Sequence, residues 1–309
     1  MSTERAGETP LASLLGDVWR EQNRVGFLLA DPDHLDAEIR RVPDSISGVV
    51  FRFRWLPHRN LRSDVAELES RGILSADRDE ASLFGDPRDA PGRFCFLCPS
   101  NIRVANPLEV LVPLTLAGEG YVAGANFAWI SNEHFTVMAS EHTDQVFSGR
   151  ALEAMLDLHA QTGGRFRIIY NGAHAGATIS WHLHYQITSE ALPVEELPAG
   201  REAAYPTAIR RFTADAPGGG AQAYASAWVA EDPAHHRVNV LVAGPRSSPT
   251  ISVFPRDTRK SHAAGKGLMG GFEVSGDFVY GESGSRASFE TATAHQARSL
   301  LEAIRPSGT

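Results

Sequence analysis

In the run WHLHYQIT, His182, His184 and Gln186 alternate with Leu183, Tyr185 and Ile187. A β-strand sends successive side chains to opposite faces, so this spacing predicts two imidazoles and a carboxamide aimed into one small volume. An imidazole placed there can be a nucleophile, a proton carrier or a metal ligand. A half-exposed strand can also carry His-x-His with no task, so the motif needs its context.

The chain's two cysteines, Cys95 and Cys98, form a Cys-x-x-Cys pair in FCFLCPSN. They are too close for an ordinary structural bridge and too few for a disulfide framework. Three readings stand: a redox pair, half of a metal site, or coincidence. The redox reading is the weaker, because the pair follows a loop rich in Asp, Pro and Gly instead of leading a helix out of a βαβ unit. A metal site needs two further ligands, and His142 in MASEHTDQ and His182 are available. A Cys2His2 set is tetrahedral and closed, hence structural.

A third group is basic. The only lysines, Lys260 and Lys266, fall with Arg256 and Arg259 in FPRDTRKSHAAGKG, a concentrated positive segment that suits phosphate or forms an exposed basic turn. It is local, since the formal net charge of the 309 residues is −8 and a broad basic surface for nucleic acid is excluded. The N-terminal MSTERAGETPLASLLGDVW lacks the apolar run of a secretory signal or anchor. Glycines, prolines and Glu119 interrupt the most apolar region. A cytoplasmic protein without membrane partners is expected.

Around these residues the chain reads as α+β. Thr9 and Pro10 open a helix over TPLASLLGDVWREQNR. GVVFRFRWLP alternates as a strand with Arg52 and Arg54 on a solvated face. Strands are expected at LEVLVPLTLA, YVAGANFAWI, HFTVMASE, FRIIYNG and WHLHYQITS, with a helix near SGRALEAMLDLHAQTG. A connection rich in proline and charge, ALPVEELPAGREAAYP, leads to a second half with strands at AYASAWVAE, HRVNVLVAG, TISVFPR and GGFEVSGDFVYGE, then a closing helix near ASFETATAHQARSLLEAI.

Four segments resemble galactose-1-phosphate uridylyltransferases in the same order: WLPHRNLRS, CFLCPSNIRVANP, HFTVMASEHTDQ and NGAHAGATISWHLHYQ. They span roughly residues 50 to 190 and place the chain by resemblance in the histidine triad superfamily, in the branch with Gln as the third member. That branch also holds diadenosine polyphosphate phosphorylases and GDP-hexose phosphorylases, whose wording around His-Leu-His-Tyr-Gln is nearer. Nearest is a little-characterised bacterial group sharing FCFLC, YNG and FPR. Leu183 stands where the uridylyltransferases have Pro, and the spacing from Gly176 to His184 is longer by one, which leaves acceptor and base open.

The resemblance implies a histidine-triad-like antiparallel sheet with flanking helices in two pseudo-repeated halves: residues 1–190 carrying the chemistry and residues 191–309 completing a substrate cleft. His184 is then the nucleophile that holds a nucleoside monophosphate covalently, and Gln186 stabilises the developing charge without supplying a proton. A structural zinc is implied on Cys95, Cys98, His142 and His182. Asn171, Gly176, Thr178, Arg59, Arg62 and Asn126 are implied at the nucleotide and its phosphates, and Arg256, Arg259 and Lys260 at an acceptor phosphate. The expected partners are a nucleotide sugar or dinucleoside polyphosphate and a phosphate or sugar phosphate acceptor; the assembly to look for is a homodimer. Two other functions fit parts of the pattern. A cupin-like metal oxygenase shares the start of its motif, Gly176 followed by His182-x-His184, but Glu190 lies one residue late. A catalytically silent nucleotide-binding protein fits the fold alone.

Overall fold

The computed structural model describes residues 9–32, 38–74, 86–89, 95–213 and 220–308. The N-terminal residues 1–8 and most of the Asp-, Pro- and Gly-rich sequence ahead of Cys95 lie outside them. The first helix, Pro10–Arg24, starts as its sequence predicts: the Thr9 side chain accepts from the Ala12 amide at 3.3 Å.

A small sheet comes next in the chain: β1 (Ile39–Pro43), β2 (Val50–Trp55) and, far downstream, β14 (Asp277–Tyr280), which pairs parallel with β2. Phe53 stacks on Phe278 at 4.9 Å between centroids. The other face of β2 is not solvated as expected. Arg52 and Arg54 both reach Asp277 and Glu190, and Arg54 and Asp277 are buried. Burial alone would raise the Asp277 carboxyl, but the two guanidiniums reverse that and hold it below the usual range. Alternation correctly placed the arginines on one face; it could not show that a strand more than 200 residues later would pair beside β2 and bring Asp277 to them.

The large sheet carries the site. Its strands are β3 (Leu111–Leu116), β4 (Glu119–Ala125), β5 (Phe135–Ala139), β6 (Arg167–Ala173), β7 (Gly176–Ala177), β8 (His184–Thr188), β9 (Arg210–Thr213), β10 (His236–Ala243) and β11 (Thr250–Asp257). The order is β3-β4-β5-β8-β6-β10-β11-β9, antiparallel along the whole path, with β7 beside β6. A minor hairpin joins β12 (His262–Ala263) to β13 (Gly267–Leu268). On each side of the β6–β10 pairing the chain runs helix, strand, strand: Gly149–Gln161 leads to β6 and β8, and Gly220–Glu231 leads to β10 and β11. The architecture is therefore mixed α+β, a large antiparallel sheet with flanking helices, as the sequence implies.

Three elements differ from expectation. AYASAWVAE is the helix Gly220–Glu231, not a strand; its buried residues Ala221, Ala225 and Trp228 recur at helical spacing, and tyrosine, tryptophan and valine masked that period. GGFEVSGDFVYGE is a helical turn, Gly271–Val274, followed by β14. The closing helix is two, Arg286–Glu290 and Ala294–Ala303, with Thr293 capping the second.

Candidate active site

β8 lies between β5 and β6, and Gln186 stands across from Thr136 on one side and Ile169 on the other. Strand pairing begins only at His184, so His182 lies before the strand and is not part of its alternation. The two histidines part company there.

His182 is fully buried, and its Nε2–H donates to the Ala139 carbonyl at 2.9 Å. That leaves Nδ1 unprotonated, 3.3 Å from Cys95 Sγ and 3.7 Å from Cys98 Sγ. His142 Nδ1 lies 3.4 Å from Cys98 Sγ. One ligand atom from each of the four residues falls within 4.8 Å of all the others. Tetrahedral binding of thiolate and imidazole at ordinary zinc bond lengths separates neighbouring ligand atoms by about 3.6 Å, so the donor set and its spacing fit a metal ion. Neither His184 nor Glu190 belongs to the group; Glu190 is engaged with Arg54, and the oxygenase reading loses its ligands.

His184 is buried, 6% exposed, and its Nδ1–H donates to the His182 carbonyl at 2.8 Å. Nε2 has no hydrogen bond among the described residues and is the nitrogen left for chemistry. Burial lowers the imidazole's pKa, and the ring is neutral at pH 7. Gln145, which sequence reading passed over, locks the strand: Nε2 donates to the carbonyls of Asn171 at 2.7 Å and His184 at 3.1 Å, while Oε1 accepts from the His184 amide at 2.8 Å.

His184 and Gln186 line a recess of about 130 Å³ whose other walls include Phe96, Leu97, Ile102, Phe127, Met138 and Ile179. Several of these belong to the apolar cluster packed around Cys95, so the Cys95–Cys98 segment also forms the recess wall. The recess shares Asn126, Phe127, Thr178 and Gln186 with a cleft of about 950 Å³.

Arg59, Arg62, Asn126, Asn171, Gly176, Thr178 and Gln186 all line that cleft. Burial and the Arg62 guanidinium lower the Arg59 pKa to about 9, still cationic at pH 7. Asn171 Oδ1 accepts from Asn239 Nδ2 at 2.7 Å and from the Gly271 amide at 2.6 Å. Gly176 has φ +117°, and a Cβ there would stand 2.6 Å from Gly270 Cα, so this rim requires glycine.

The basic segment divides. Arg256 is fully buried and does not line the cleft; it donates to Asn239 Oδ1 at 2.6 Å and the Met269 carbonyl at 2.8 Å, bracing the loop behind Asn171. Arg259 pairs with Asp257 and Asp232, and Lys260 Nζ reaches Ser307 Oγ at 2.9 Å; neither lines the cleft. The cation that does is Lys266, beside Glu273 at 3.4 Å. Charge density marked the right segment; which of its residues face the cleft depends on the β12–β13 hairpin.

The family described as "Domain of unknown function (DUF4922)" matches residues 81–189, less than half of the chain but the part holding the metal cluster and the β8 histidine. No curated protein matches the sequence. Among solved structures the chain is similar to yeast Ap4A phosphorylase Apa2, at TM-score 0.60 and 18% identity over 96% of this chain and 98% of that one. The same enzyme in complex with AMP gives 0.55 and 16% over 98% and 99%, and in complex with Ap4A 0.56 and 16% over 96% and 98%. The fold of this chain is therefore the fold of that yeast phosphorylase.

Proposed function

We propose that the protein is a nucleotidyltransferase of phosphorylase type, moving a nucleoside monophosphate from a dinucleoside polyphosphate or nucleotide sugar to phosphate or a phosphorylated acceptor. The observation that carries this reading is the state of His184: Nδ1 is tied to the His182 carbonyl, Nε2 has no partner among the described residues, and the residue lines an apolar recess that adjoins a cleft with arginines. The Nε2 lone pair attacks the α-phosphorus and a phosphorus–nitrogen bond forms. The bond to the bridging oxygen breaks, and the leaving group departs with its electron pair. An acceptor phosphate oxygen then attacks the same phosphorus; the phosphorus–nitrogen bond breaks and neutral His184 returns.

Gln186, with no side-chain partner among the described residues, donates its amide to a non-bridging oxygen as charge develops. It cannot deprotonate water, which favours an acceptor that carries its own charge. Arg59, Arg62 and Lys266 supply positive charge along the cleft. Residues 1–190 contribute the chemistry, and residues 191–309 close the cleft through Lys266 and the Gly270–Gly271 loop. The metal of the Cys95, Cys98, His142 and His182 group is zinc, which holds the loop that walls the recess and supplies no chemistry to the transfer.

The test is a turnover screen of dinucleoside polyphosphates and nucleotide sugars with and without phosphate. Cleavage that requires phosphate and yields a nucleoside diphosphate is expected. Hydrolysis unaltered by phosphate, or no turnover of any nucleotide, contradicts the reading.

A further inference from the structure

The recess beside His184 contains one acid, Glu109. It sits just beyond the metal-binding loop's helix, Pro99–Ala105, where Asn106 turns the chain and donates Nδ2–H to Glu109 Oε2 at 3.0 Å. The other oxygen, Oε1, has no hydrogen-bond donor and no cation at ion-pair distance among the described residues. It lies over Gly124, where a Cβ would stand 2.0 Å away, so the strand leaves out a side chain at the place the carboxylate occupies. A carboxylate oxygen left short of donors in an apolar recess implies that a ligand brings the donors.

We propose that Glu109 reads the base of the nucleotide and selects guanine. This rests on the nucleotidyl-transfer reading of the same site. Guanine presents two neighbouring donors on one edge, the ring N1–H and the exocyclic N2–H, which match the two oxygens of a carboxylate. Adenine and cytosine present a donor beside a ring-nitrogen lone pair, which faces the carboxylate repulsively. Uracil presents one donor between two carbonyls. The apolar walls give the base its stacking surface, and Glu109 gives the recess its sign.

Titration calorimetry of the zinc-loaded, full-length protein with GMP, AMP and UMP tests this without turnover. GMP is expected to bind at least ~10-fold more tightly than AMP or UMP, because a site built to hydrogen-bond a polar edge rejects the edge that lacks it. Glu109→Gln keeps the size but offers one donor and one acceptor, the complement of adenine. It should lower the GMP-to-AMP affinity ratio at least ~10-fold without weakening AMP. A wild-type protein that binds AMP as tightly as GMP, or a Glu109→Gln variant that weakens all nucleotides equally, overturns the proposal. A protein that prefers AMP and still transfers it to phosphate refutes the role of Glu109 alone; one that binds none of the three refutes the transfer reading as well.

Discussion

The Nδ1–H of His184 donates to the backbone carbonyl of His182, the residue whose own ring faces Cys95 and Cys98. A metal held by that group would fix the carbonyl that fixes the tautomer of the proposed nucleophile. Chelating the metal, or Cys95→Ser, should lower thermal stability and turnover together, since structural zinc can contribute on the order of 10 kcal/mol. Elemental analysis should find one zinc per chain. Carefully purified protein that is fully active without zinc would remove the metal from the account.

Gln145 satisfies three backbone groups on two strands at once. Replacing it by Leu leaves them buried without partners and should cost about 2–4 kcal/mol, at 1–3 kcal/mol for each group incompletely recovered. Urea denaturation measures this. An unchanged midpoint would show that β6 and β8 hold their positions without the carboxamide.

Asp277 is the shared anion of Arg52 and Arg54. Asp277→Ala strands two cations against the small sheet and should destabilise by about 3–5 kcal/mol, the range for breaking a buried pair from one side. A loss under 1 kcal/mol would mean that Glu190 neutralises both arginines alone.

Glu109 links stability to pH. Its folded carboxyl is raised from the ordinary 4.5 to about 7, so between those values the folded state binds the proton that the unfolded state has released. Stability from this group is therefore full below pH 4.5 and falls as pH rises through 7, by up to about 3 kcal/mol at 1.4 kcal/mol per unit. Melting curves from pH 5 to 8 should show this decline in wild type and a flatter profile in Glu109→Gln. Parallel profiles for the two proteins would contradict it.

Much of this was legible in the chain because its signals are local. Thr9 before Pro10 announces a helix, and Cys95-x-x-Cys98 offers half of a metal site, whose two histidines came from the resemblance. What was hidden depends on distant partners. His182 and His184 look equivalent by alternation; only the meeting of His182 with the cysteines, 87 residues away for Cys95, separates their tasks. Arg52 and Arg54 read as solvated until β14, paired beside β2, brings Asp277 to them. Gln145 and Glu109 are single polar residues in unremarkable surroundings, and each acquires its role from a strand elsewhere. In AYASAWVAE the alternating alanines read as a strand, and the helical period of Ala225 and Trp228 shows only with Ala221, just ahead of the stretch.

The central claim is a covalent link between His184 and a nucleotide. The direct measurement is intact-protein mass spectrometry after mixing with a dinucleoside polyphosphate or nucleotide sugar in phosphate-free buffer, followed by peptide mapping. The account predicts one nucleoside monophosphate per chain on His184, acid-labile as a phosphorus–nitrogen bond should be, discharged by added phosphate and absent in His184→Ala. In that variant nucleotide affinity should stay within about tenfold, or 1.4 kcal/mol, because the recess and the arginines remain. An adduct on another residue, or phosphate-dependent turnover at a near-normal rate in His184→Ala, would contradict it.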